Sequence, residues 1–117
     1  MAKSLLLICR QPGSTAAREA LDIALAGGAF ELPIALLFMD DGVFQLPTAQ
    51  QPAALEQKDL SANLQALPLF GVDELYVCRE SLARRGLADA TLSLPVTPLH
   101  GVELPTLLAR FDLVMTL

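Results

Sequence analysis

Three short apolar runs constrain this chain more than anything else in it: LLLIC at residues 5–9, PIALLFM at 33–39 and ELYVC at 74–78. A bilayer span needs roughly 20 apolar residues in a row, so none of these runs crosses a membrane as a helix. Each has the length of a strand, and the first two lack the apolar–polar alternation of a strand wetted on one side. A strand buried on both faces belongs inside a parallel sheet with helices packed above and below it.

The intervening sequence supplies those helices. Residues 3–9 read as the first strand, and QPGST makes a turn in which Ser14 or Thr15 can cap the helix that follows. In TAAREALDIALA, Ala17, Leu21, Ala24 and Leu25 share one face while Arg18, Glu19 and Asp22 fall largely elsewhere. Gly27 and Gly28 end that helix. PIALLFM is the second strand and DDGVFQLPTAQQP a long loop. A second helix over roughly 53–67 brings Leu60, Leu64 and Leu67 to helical spacing and stops at Pro68. ELYVC is the third strand, and RESLARRG a helix of about two turns closed by Gly86. Residues 87–100 are irregular, with LSLPV the candidate for a fourth short strand. VELPTLLARF is the last helix, regular only after Pro105, and DLVMTL is a terminal strand. Strands alternating with helices predict one α/β domain over 1–117, a three-layer α/β/α arrangement around a mostly parallel sheet of about five strands with right-handed crossovers. The chain shows no internal repeat, low-complexity tract or linker.

Composition narrows the function. Hydrophobic residues make up 53% of the 117 and only 18% are charged, with a mean hydropathy of +0.48. That is apolar for a small domain and points to surface buried against a partner. The N-terminal apolar stretch stops at Arg10 and the charged REALD follows without a small-residue cleavage site, so the expectation is a cytoplasmic protein rather than a secreted or membrane one. A net charge of −5 argues against direct nucleic-acid binding, which needs a concentrated basic patch. Arg79, Arg84 and Arg85 form the one basic cluster, read as a solvated helix face. The two cysteines, Cys9 and Cys78, form no CxxC pair, and with the single His100 they cannot assemble a zinc site, so no metal is expected.

Ligands of open parallel sheets bind beyond the carboxyl ends of the strands. Three features fall there: Cys9 with Arg10, Asp40 with Asp41, and Cys78 with Arg79. Cys78 stands where a strand hands over to a helix. Exposed amides, the helix dipole and Arg79 would favour a thiolate at that place, which a persulfide carrier requires. The competing reading is a small buried structural side chain, and the residues leave both open. Cys9 is weaker because Pro12 delays the next helix. Asp40 and Asp41 do not follow the first strand, as the acidic pair of a receiver domain does, so Asp41–Gly42 reads as a turn. QPGST is too poor in Ser, Thr and Gly for a flavin loop, a P-loop is absent, and no cofactor is expected. Val43, Phe44 and Leu46 occupy the loop after the second strand. Bulky apolar groups there need a cover, and the apolar excess of the chain assigns it to another subunit.

TAAREALD, DGVFQL, VCRESLARRGL and the following TPL together resemble the DsrE/DsrF family, in its TusC/DsrF-type branch, in order over nearly the whole chain. The resemblance implies a compact α/β domain with a parallel sheet, and a place beside TusB-like and TusD-like sister subunits in a dimer of heterotrimers. Such a complex takes persulfide sulfur from an upstream donor and passes it to a downstream acceptor protein. It serves 2-thiolation of the tRNA wobble uridine in Tus systems and sulfur oxidation in Dsr systems. Cys78, ahead of LARRG, matches the position of the catalytic cysteine on the TusD/DsrE-type subunit, whereas DGVFQL belongs to the other subunit type. The expectation is therefore an accessory, interface-forming subunit. Its alternatives are a sulfurtransferase subunit using Cys78 itself and a stand-alone α/β module binding a small anionic ligand. Cys9 stands where relatives are expected to carry a small polar residue.

Overall fold

The structure, a computed structural model, describes residues 4–10, 19, 22–27, 33–46, 67–70, 72, 74–89, 92 and 96–117. Five strands, β1 (Leu5–Cys9), β2 (Ile34–Phe38), β3 (Glu74–Cys78), β4 (Thr97–Leu99) and β5 (Leu113–Thr116), form one parallel sheet in the order β4-β3-β2-β1-β5. The central strands are the two unbroken apolar runs. All five residues of β2 are buried, as are four of the five in β1, because the sheet is covered on both sides.

Topology explains the two layers. From β1 through β4 the chain advances in one direction across the sheet, and right-handed crossovers place the described parts of those connections on one face. Ala24, Val43, Leu46, Leu67 and Leu82 bury Leu7, Leu36, Phe38, Leu75 and Val77 there. The step from β4 to β5 runs back across the sheet, so its helix Leu104–Ala109, with Pro105 in the first turn, lands on the other face. There Leu107 covers Leu6, Ile8, Ala35 and Leu37, with Leu104, Leu108 and Phe111 packed against them. This is the three-layer α/β arrangement that the alternating pattern implies.

Several local readings change. The fourth strand is Thr97–Leu99, just beyond LSLPV, whose central residues lie outside the described ones. Of the helix expected at 15–26, residues 19 and 22–27 are described and helical. The helix expected at 53–67 lies outside the described residues except for Leu67, which opens a 3-10 turn, Leu67–Phe70. The loop after β2 is itself a 3-10 helix, Asp40–Gln45. No helix among the described residues is long and apolar enough to cross a membrane.

Candidate functional site

The carboxyl ends of β1, β2 and β3 are tied together by a polar knot. Met39 donates its N–H to the Cys9 carbonyl at 3.1 Å, and Gly42 then passes directly over that carbonyl. A Cβ at residue 42 would sit 1.9 Å from the Cys9 oxygen, so only glycine permits the approach. Asp40 between them holds φ +51°, a left-handed conformation uncommon for a residue with a side chain. It is held on both sides. The Asp40 N–H donates to Ser81 Oγ at 2.8 Å, and Arg10 Nε donates to Asp40 Oδ2 at 2.6 Å. Asp41 accepts from Arg85 Nε at 2.8 Å, and Arg85 also donates to the Ser81 carbonyl at 3.2 Å. The acidic pair is thus more than a turn: it fastens the Arg79–Arg84 helix to the ends of β1 and β2, and the Asp40 amide gives the buried Ser81 hydroxyl oxygen a donor. Arg85 is part of this knot rather than of a solvated face. Arg10, Asp40, Asp41, Thr116 and Leu117 line an open cleft of about 560 Å³ where β1 and β5 lie side by side.

The 3-10 geometry overturns part of the expected interface. With three residues per turn, side chains at i and i+3 fall on one side. Val43 and Leu46 therefore both turn into the chain's own core, each fully buried, while Phe44 between them is 41% exposed. Val43 and Leu46 have no surface left for a partner; Phe44 has.

Cys78 ends β3 and caps the six-residue helix Arg79–Arg84 without a side-chain capping bond. Its sulfur is almost out of contact with solvent, the residue being only 5% exposed. Strand alternation sends it to the Tyr76 face of the sheet. Its polar partner is a carboxylate, Glu80 Oε2 at 4.0 Å, to which the thiol S–H donates, whereas Arg79 points to solvent. Glu80 is itself held. Gly101 N–H donates to Oε2, and His100 Nδ1 lies 3.1 Å from Oε1. The Gly101 amide, followed by the His100 contact, keeps the Glu80 carboxyl below the usual carboxylate range. His100 is fixed in turn by Glu103, whose Oε1 accepts the His100 N–H at 2.9 Å. The strand-to-helix position thus presents the sulfur with a carboxylate and not with Arg79. On the opposite face, Val77, Leu82, Leu92 and Val96, with Glu80 and His100, line a mainly apolar cavity of about 390 Å³ that Cys78 does not reach. Cys9 is buried in the main core, and burial pushes its thiol up to about 12, so it is an uncharged packing residue at neutral pH. Both cysteines are free, and no metal-ligating cluster occurs among the described residues. Glu80, Ser81 and His100 carry the local geometry, yet the sequence pointed to none of them. The one available signal was Glu80 two positions beyond Cys78, with His100 following a strand.

The pattern of the DsrE/DsrF-like family matches residues 3–117. The chain belongs to that family. It is 60% identical, over the full length of both chains, to a protein of Pseudomonas aeruginosa named Protein TusC homolog. A Protein TusC homolog of Vibrio parahaemolyticus is 42% identical over 80 residues, which is 68% of each chain. Among solved structures, the crystal structure of the ychN protein from E. coli superposes over the whole of both chains with a TM-score of 0.82 at 25% identity. In this DsrE/DsrF-like chain the sulfur of Cys78 is turned inward against Glu80.

Proposed function

We propose that this DsrE/DsrF-like chain is a TusC-like subunit of a cytoplasmic sulfur-relay complex, and that it builds the assembly rather than carrying the main sulfur load. Its kinship to proteins named TusC homolog supports the first part. The observation that carries the second is the state of Cys78: nearly enclosed, with a carboxylate rather than a cation as its partner. In this reading TusB-like and TusD-like sister subunits complete a dimer of heterotrimers. An upstream persulfide donor loads the complex, a downstream acceptor protein unloads it, and the end use is 2-thiolation of the tRNA wobble uridine. Phe44, on the rim at the carboxyl ends of the strands, faces a sister subunit.

The deciding experiment follows labelled sulfur from donor to acceptor through complexes that differ only in Cys78→Ser of this chain. Near-isosteric replacement leaves packing close to unchanged, so assembly is expected to persist and transfer to fall only modestly. Complete loss of transfer, with a persulfide trapped on Cys78 in the parent complex, would make this chain a sulfur carrier.

A further inference from the structure

The cavity of about 390 Å³ beside the Arg79–Arg84 helix has an apolar body and a charged end. Val77 on β3 and Pro98 on β4, register partners in the sheet, lie against it. Leu82 and Ala83 face it from the helix, and Ala88 and Val96 from the segment between the helix and β4. Ala83 and Ala88 end at Cβ, and that is where the room comes from, since a larger side chain at either position would fill it. The polar lining is gathered at one place. Arg79 and Glu80 follow β3 and His100 follows β4, so all three stand where those two strands stop.

The charges at that end are unequal. Glu80 is already answered: its Oε2 accepts the Gly101 N–H, and its Oε1 lies 3.1 Å from His100 Nδ1. Arg10, Arg85 and Arg110 each hold a carboxylate, whereas Arg79 makes no ion pair or hydrogen bond among the described residues. We propose that this cavity binds a small organic monoanion, with its apolar body against Val77, Leu82 and Pro98 and its carboxylate on the Arg79 guanidinium. The volume gives room for roughly 13 water-sized groups, at the small end of the range of ligand sites. A single side chain reaching in from a partner protein would leave most of that space empty, so the occupant is a whole small molecule. A guanidinium presents paired N–H donors that match a carboxylate, and apolar walls weaken the competition of water for that pair. An amine would have to displace Gly101 and His100 from Glu80 and would meet Arg79 as a like charge. A polyanion would meet the Glu80 carboxylate beside its one guanidinium. The proposal stands apart from the role of Cys78, which the cavity does not reach.

The test is an NMR titration of the full-length chain with three matched probes: phenylbutyrate, phenylbutanol and phenylbutylamine. They carry an anion, no charge and a cation on the same apolar body. The acid should shift the Val77, Ala83, Ala88 and Val96 amides saturably with a Kd of about 0.1–1 mM. That value should lie about fivefold or more below the Kd of the alcohol, and the amine should bind most weakly. Arg79→Gln should bring acid and alcohol within about twofold of each other while leaving the alcohol unchanged, which loss of the fold would not do. Ala83→Phe fills the cavity and should abolish binding of all three probes; Ala88→Phe should do the same and serves if the first variant fails to fold. Shifts centred elsewhere, on the exposed Leu113–Met115 stretch for example, overturn the proposal, as does an absence of saturation by about 10 mM. Binding that survives both filling variants overturns it too. So does an acid that binds no more tightly than the alcohol, or one that keeps its advantage in Arg79→Gln.

Discussion

Leu46→Ala and Phe44→Ala lie two residues apart and should behave as if they came from different proteins. Leu46 is fully buried in the main core, in contact with the face of the sheet that carries Leu7, Leu36 and Phe38. The substitution deletes three carbon groups, worth ~0.8 kcal/mol each as transfer free energy. A residual cavity adds to this, and the whole comes to about 3–4 kcal/mol. Phe44 is 41% exposed, and its truncation should cost about 1 kcal/mol or less in the chain alone. Urea unfolding followed by circular dichroism separates the two. At an m-value of about 1.5 kcal/mol/M, Leu46→Ala should lower the midpoint by about 2 M and Phe44→Ala by well under 1 M. Co-purification with sister subunits should show the reverse order, with Phe44→Ala the variant that weakens assembly at unchanged fold. Equal midpoint shifts, or a larger one for Phe44→Ala, would refute the argument that a three-residue period turns Val43 and Leu46 inward and Phe44 outward.

Two further outcomes follow from the knot and from the cysteine. Gly42→Ala places a methyl group within 1.9 Å of the Cys9 carbonyl oxygen; because both partners are backbone, the loss should be about 3 kcal/mol or more, read as a drop in thermal midpoint, and a neutral substitution would show that the turn shifts freely. Glu80→Ala removes the carboxylate that holds Gly101 and His100 at the end of β3 and packs against Cys78. Alkylation of Cys78 should become several-fold faster as that cover opens, and an unchanged rate would mean that the sheet and the helix alone enclose the sulfur.

Alternation of apolar runs with helical segments was enough to specify the parallel sheet, because a five-residue strand without polar positions has no stable setting except between two covered faces. Gly86, closing the Arg79–Arg84 helix at φ +70°, and Pro105, opening the last helix, were legible for a similar reason: each residue has a backbone preference that acts locally. The resemblance, carried by DGVFQL and VCRESLARRGL, identified the family, which the full-length match bears out. What the sequence left open was every matter of direction. Whether Val43 or Phe44 faces the core turns on a 3-10 helix whose period differs from that of a strand or an α-helix. Whether Cys78 meets a cation or a carboxylate depends on Gly101 and His100, which arrive from β4 and hold Glu80 across the end of the sheet. Those partners lie 20 or more residues from the side chains they orient, and no periodicity in the chain encodes that distance. Strand identity is a property of a few neighbouring residues. The surroundings of a sulfur belong to the strand order, β4 beside β3, and only the folded sheet sets it.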